Sequence, residues 1–278
     1  YGDPSTALAD PLVVLRVRDA KANWNKPTGD ATLKWQIDSR NMIYARYARG
    51  YRAGQYNITN TAAEDFSLVN PETINAYEAG FKSALFDGRL RLNGSVYTYR
   101  YSDIQVYIFT DVGSVALLNG DKAKMTGGEL EFTAAPVRNL TLSGGVGYTD
   151  AKYGTWVSPV YDRTGNQIPT TPKWTWNVLA RYDVPLASGA KVQFQTDWNH
   201  KDNFYADPDN TPSGYGGGRT IGNATISFVG PDETFTFRLW VKNLTDKMYA
   251  TGISFHPVAT RVGYGEPRSF GAQFETRF

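Results

Sequence analysis

The feature that most constrains this chain is an alternation of apolar and polar residues with a period of two, repeated over most of its length. Within residues 173–184, one set of alternate positions is entirely apolar or aromatic: Trp174, Trp176, Val178, Ala180, Tyr182 and Val184. The positions between them are mostly polar or charged. Successive side chains of a β-strand point to opposite faces, so this pattern predicts strands with one apolar face and one polar face.

The same alternation predicts about eleven strands in all. They cover residues 31–38, 41–50, 73–85, 89–101, 122–135, 138–149, 173–184, 191–199, 220–229, 234–242 and 268–278. Short turns alternate with long polar loops, and the loops lie at about 51–72, 102–121, 150–172, 203–219 and 245–266. Connections that alternate between short and long are typical of an up-and-down meander whose long loops all lie at one end.

Composition narrows the class of protein. The net charge of +2 gives no electrostatic argument for nucleic acid, and the absence of cysteine excludes disulfides and cysteine-bound metals. A soluble sandwich would show the same alternation as a transmembrane barrel. Three features favour the barrel: charges are missing from the middle of the apolar faces, aromatic residues lie near the strand ends, and the strands are longer than the usual five or six residues.

Several segments resemble the TonB-dependent outer-membrane receptors. The stretch VKNLTDKMY (241–249) is similar to the penultimate-strand signature of that family, and GEPRSFGAQFETRF (265–278) is similar to its last strand. Residues 42–57, 70–105 and 124–153 are similar to segments from the middle of the family's barrel. The resemblance covers about residues 25–278.

The resemblance implies an all-β, antiparallel, up-and-down transmembrane barrel of about 22 strands with an N-terminal plug inside it. If the short turns are periplasmic and the last strand ends in the periplasm, an odd number of strands means that the first predicted strand begins outside the cell. Both ends of a complete barrel would lie in the periplasm. The chain is therefore expected to be the C-terminal half of such a barrel, over residues 28–278. Residues 1–27 would belong to an extracellular loop. The plug and the TonB box would be absent, so this polypeptide alone should not transport.

In function, the resemblance implies active uptake of a scarce ligand across the bacterial outer membrane, most often a ferric siderophore. No enzymatic activity and no resident cofactor are expected, since an iron chelate would be the cargo. The implied partners are outer-membrane lipid, the barrel-assembly machinery, the small-molecule ligand and, through the missing N-terminal part, TonB–ExbB–ExbD. Two alternatives are a passive porin-like channel and a soluble carbohydrate-binding β-sandwich.

Aromatic and cationic residues of the long loops are the candidate ligand contacts, because ring faces near positive charges suit a planar anionic chelate or a sugar. The candidates are Tyr56, Trp156, Tyr161, Tyr205, Tyr215, Arg219 and His256. Packing within the loops would explain the same residues. No metal site is expected. Phe270, Phe274 and Phe278 lie on the apolar face of the last strand, where the resemblance implies a signal for barrel assembly.

Overall fold

The computed structural model describes residues 21–56, 68–109, 115–157, 161–254 and 259–277. Eleven strands form one antiparallel sheet. They are β1 Gly29–Gln36, β2 Asn41–Arg52, β3 Glu72–Leu85, β4 Leu90–Ser102, β5 Lys122–Ala134, β6 Leu140–Tyr153, β7 Trp174–Pro185, β8 Lys191–Lys201, β9 Arg219–Val229, β10 Phe235–Lys242 and β11 Ser269–Thr276. Spatial order follows chain order, with β1 and β11 at the edges. The predicted meander is confirmed.

The strand register aligns the apolar positions of neighbouring strands on one face of the sheet. Val178 of β7 lies opposite Trp198 of β8, and Phe237 of β10 lies opposite Phe274 of β11. Phe237 and Phe274 stay exposed to the surroundings, as does Phe270 of β11, which is 81% exposed. A soluble protein rarely leaves so large a continuous apolar surface uncovered. The opposite, polar face carries Glu78, Lys82, Arg91, Glu129, Glu131, Arg181, Asp197, Arg238 and Glu275.

Four small two-stranded hairpins extend the long loops beyond the sheet. They pair Gln55–Tyr56 with Leu68–Val69, Gln105–Phe109 with Val115–Asn119, Phe204–Tyr205 with Tyr215–Gly216, and Ala250–Ser254 with Arg261–Tyr264. These stretches were predicted as long polar loops. The strands are only two to five residues long, which is too short for alternation to distinguish them from polar loop sequence.

Short turns close the other end of the sheet. The turn between β3 and β4 places Phe86, Asp87 and Gly88 at positive φ, which confirms the hairpin predicted from the Asp-Gly pair. Between β1 and β2, the Asp38 carboxylate accepts hydrogen bonds from the Asn41 side chain and the Arg40 backbone N–H. These bonds stabilise the ionised form and hold the pKa of Asp38 below its usual value.

A cluster of packed hydrophobic residues lies where the sheet meets the long loops. Ile104, Ala123, Tyr153 and Trp156 form a buried cluster at the long-loop end of β4–β6. In the described parts of the chain, no helix is long and apolar enough to cross a membrane.

Candidate ligand site at the long-loop end

The long loops are joined to one another in series, beginning with the β2–β3 and β4–β5 loops. The Gln105 backbone N–H donates to Glu72 Oε2 at 2.6 Å, and its side-chain amide donates to the carbonyls of Ala53 and Asn70, both at 2.9 Å. Asn119 adds a bond from Nδ2 to the Asn70 carbonyl at 3.0 Å. Buried amides need partners of this kind, so these bonds fix the two loops together.

The β4–β5 loop then packs against the β6–β7 loop through apolar contacts. Ile104 and Trp156 belong to the same buried cluster, and Trp156 is only 6% exposed. The ring of Trp156 meets that of Tyr153 edge-on, with centroids 4.8 Å apart. Burial raises the free energy needed to open these two loops, since the apolar rings would be returned to water.

A buried arginine joins the β6–β7 and β8–β9 loops. Arg163 is 1% exposed and lies 4.8 Å from the Trp156 ring and 4.9 Å from the Tyr161 ring. Its Nε lies 2.7 Å from Asp209 Oδ1, and its Nη2 donates to Oδ2 at 3.1 Å. A buried charge is tolerated only when it is paired in this way. Asn210 supports the junction by accepting a bond from the Gln167 backbone N–H at 2.8 Å.

Two cations meet where the polar face reaches the loops. Lys201 of β8 and Arg219 of β9 are direct cross-strand partners. Lys201 Nζ lies 4.0 Å from the Phe204 ring centroid, and Arg219 Cζ lies 4.6 Å from the Tyr249 ring centroid. Like charges placed opposite each other in a sheet are unfavourable without an anion between them. The pair is therefore a potential anion site, with aromatic rings behind it.

A small polar cavity adjoins this pair. Its volume is about 210 Å³, and its lining includes Arg219, Lys242, Tyr249, Asn199 and Glu266. Arg219 also donates from Nη1 to the Ala250 carbonyl at 2.6 Å, which connects β9 to the β10–β11 loop. With that bond the series of contacts runs through all five long loops.

The candidate residues from sequence fall into separate places. Trp156 and Tyr161 lie on either side of Arg163 inside the loop packing. Tyr205 and Tyr215 pair across one loop hairpin with ring centroids 5.4 Å apart, and Tyr215 is 45% exposed. Tyr56 lies on the hairpin of the β2–β3 loop. His256 lies outside the described residues. The ligand contacts therefore stay a prediction for all seven.

Sequence reasoning missed residues that organise this end of the molecule. Lys201 was not among the candidates, although a lysine at the end of an alternating strand is a usable signal. Asp209 was missed because only the fold brings it to Arg163. Asn243, in the NLTD motif, is 3% exposed and donates to the carbonyls of Lys247 and Glu266. That motif therefore closes the β10–β11 loop at its base.

The described residues include no group of three or more His, Cys, Asp or Glu side chains that could hold a metal ion. His200 stacks on Trp176 with ring centroids 5.4 Å apart, and its Nδ1 is 2.8 Å from Thr220 Oγ1. Its contacts are those of a packing residue.

A long antiparallel meander with an exposed apolar face, a charged opposite face and packed loops at one end defines the wall of a transmembrane β-barrel. Residues 3–244 match the family described as TonB dependent receptor-like, beta-barrel. The chain belongs to this family. Its members are outer-membrane transport receptors and not enzymes, and the chain lies in the bacterial outer membrane.

Curated relatives agree with this assignment. The chain is 31% identical over 157 residues to the pesticin receptor of Yersinia enterocolitica, a match that covers 55% of this chain and 22% of the relative. It is 24% identical over 252 residues to the probable TonB-dependent siderophore receptor PiuA of Acinetobacter baumannii, covering 84% of this chain and 32% of the relative. The chain thus spans about a fifth to a third of the length of these relatives.

Solved structures share the fold. The ferric yersiniabactin uptake receptor FyuA of Yersinia pestis matches with a TM-score of 0.75 at 20% identity, covering 90% of this chain and 37% of that one. The ferric preacinetobactin receptor BauA of Acinetobacter baumannii matches with a TM-score of 0.68 at 20% identity, covering 89% and 35%.

Proposed function

We propose that this chain is part of the barrel wall of a receptor that takes up an anionic ferric siderophore, and that its five long loops form part of the binding surface. The long loops would face the outside of the cell and the short turns the periplasm. Relatives named as siderophore receptors, including PiuA and the ferric-pyoverdine M114 receptor PbuA, support this cargo class.

One observation carries the proposal: Lys201 and Arg219 oppose each other at the mouth of the polar face, and each is backed by an aromatic ring. Catecholate, hydroxamate or carboxylate oxygens that carry net negative charge would relieve the repulsion between these cations. Tyr205, Tyr215 and Tyr56 offer ring faces on the same end of the molecule for planar groups of the chelate.

The rest of the receptor would complete the barrel. A sheet edge exposed to hydrocarbon leaves backbone N–H and C=O groups without partners, so β1 and β11 should each pair with further strands of the full-length receptor. Residues 28–278 would then form its C-terminal half, with residues 1–27 in an extracellular loop. A plug domain would bind TonB–ExbB–ExbD.

The aromatic residues of β11 support a further part of the proposal. Phe270 and Phe274 project from the apolar face, and Phe274 is 65% exposed. With Phe278, which lies outside the described residues, they would form the signal that the barrel-assembly machinery recognises.

The direct test is a binding screen with the purified full-length receptor. Ferric complexes of catecholate, hydroxamate and carboxylate siderophores, together with uncharged oligosaccharides, are titrated while tryptophan fluorescence is followed. The proposal expects at least one anionic ferric chelate to bind with a dissociation constant below about 1 μM. Saturable binding of an oligosaccharide and of none of the chelates would contradict it.

A further inference from the structure

A row of cations crosses the apolar face of the sheet near its long-loop end. The register places Arg49 of β2, Arg100 of β4, Lys124 of β5 and Lys152 of β6 along one line, with Asn75 of β3 between the first two. Arg100 and Lys124 are direct partners, as are Lys124 and Lys152. Like charges in direct opposition destabilise a sheet unless something neutralises them.

The chain itself provides little neutralisation. Lys152 lies 3.2 Å from Asp150 Oδ1. Among the described residues, no carboxylate lies within ion-pair distance of Arg49, Arg100 or Lys124. The Nε of Arg49 is buried without a hydrogen-bond partner. A buried donor of this kind carries a desolvation cost that the chain itself leaves uncompensated.

An apolar groove begins at the next pair of residues on this face, on the side of the row that is further from the long loops. Its volume is about 790 Å³, and its walls include Leu33, Ala45, Tyr47, Tyr77, Ala79 and Val96. Tyr47 and Tyr77 are neighbours of Arg49 and Asn75 on the same strands, two positions further from the loops. Arg100 Cζ lies 5.9 Å from the Tyr77 ring, so the same tyrosine contacts both the cationic row and the groove.

We infer that this row and groove bind a phosphorylated lipid of the outer leaflet, with its phosphates on Arg49, Arg100 and Lys124 and an acyl chain in the groove. The row lies on the lipid-facing side, where a soluble partner cannot reach the groove below it. Arginine and lysine pair strongly with phosphate oxygens, and an alkyl chain matches an apolar channel. This inference adds a lipid site outside the barrel to the proposed ligand site inside it.

The test uses the purified full-length receptor in detergent, with bound lipid measured by native mass spectrometry. It is titrated with lipid A that carries two phosphates, with the same glycolipid after removal of both phosphates, and with phosphatidylethanolamine. The charge-reversed variant Arg100→Glu/Lys124→Glu is compared with Arg89→Glu/Arg138→Glu, which reverses two exposed charges at the short-turn end. A milder variant, Arg100→Gln/Lys124→Gln, provides a second reading if the first assembles poorly.

The inference expects the two-phosphate lipid to bind the parent about tenfold more tightly than the dephosphorylated one. Both variants at Arg100 and Lys124 should weaken that binding by about tenfold or more, and the short-turn control should bind like the parent. Equal binding of the phosphorylated and dephosphorylated lipids would overturn the role of the cations. Unchanged binding in the Gln variant would overturn the site. Ferric chelate binding should stay at the parent level in every variant, so failure here is distinguishable from failure of the proposed receptor function.

Discussion

The ring of Tyr44 on β2 covers Gly80, its direct partner on β3: a methyl group built on Gly80 would lie 2.7 Å from the Tyr44 ring. The Tyr44 hydroxyl lies beyond Gly80 and donates a hydrogen bond to Glu78 Oε1 at 2.6 Å. The same arrangement of an aromatic ring over a cross-strand glycine recurs in Phe81–Gly94, Tyr97–Gly127, Trp198–Gly222 and Trp240–Gly271. Glycine leaves room for a ring to lie flat on the neighbouring strand.

Gly80→Ala should therefore destabilise the barrel, because the added methyl group displaces the Tyr44 ring or the strand. Overpacking of this kind costs about 1–3 kcal/mol. The matched control is Gly145→Ala on the same polar face, where the added methyl group would find its nearest neighbour at 3.5 Å. Urea unfolding of the refolded full-length receptor in detergent measures both. Equal stability of the two variants would mean that the packing of the Tyr44 ring does not require glycine at position 80.

The assignment of faces predicts opposite outcomes for two arginine substitutions on β7. Val178→Arg places a cation on the lipid-facing side near the middle of the strand, at a cost of roughly 2–4 kcal/mol. Thr175→Arg, on the polar face, should assemble normally. The measurement is the fraction of receptor that reaches the heat-resistant folded form in lipid vesicles. Similar folded fractions for both variants would show that the faces are assigned the wrong way round.

The buried Arg163–Asp209 pair predicts joint opening of two loops. Asp209→Asn leaves the Arg163 charge without its partner, which costs about 3–5 kcal/mol for a buried pair. Hydrogen exchange should therefore accelerate at residues 162–170 and 204–211 together, while the sheet keeps its protection.

The control for that prediction is Asp87→Asn, which removes the partner of Arg40 at the short-turn end. Both side chains there are largely exposed, at 52% and 93%, so the change is worth about 0–1 kcal/mol. Faster exchange in only one of the two long loops would contradict the view that the ion pair holds both.

Strands, faces and topology could be predicted because period-two alternation is a local signal, and each strand shows it independently of the others. The bounds of β7 illustrate this: residues 173–184 were predicted and Trp174–Pro185 are observed. The loop packing could not be predicted. Ile104 and Trp156, or Arg163 and Asp209, are far apart in sequence, and only the assembled sheet brings them together.

Candidate site residues were predicted from residue type and from position in the long loops, and neither shows how a side chain packs. Tyr205 and Tyr215 do share one loop hairpin, and Arg219 begins the strand that follows it, as their sequence proximity suggests. Trp156 was predicted as a ligand contact because it is aromatic. Residue type does not show whether a side chain is buried, and Trp156 is buried in the packing between the long loops. The position of Lys201 at the end of an alternating strand was visible in the sequence, but only the register shows that it lies opposite Arg219.

The most direct test of the proposed function is ferric chelate binding by the full-length receptor with both mouth cations neutralised. Lys201→Gln/Arg219→Gln removes the charges that an anionic chelate would contact. Lys34→Gln/Lys82→Gln removes two charges elsewhere on the same polar face. With the best ligand from the binding screen, the first variant should bind at least about tenfold more weakly than the parent, and the second should match the parent. Parent-like binding by Lys201→Gln/Arg219→Gln would contradict the account.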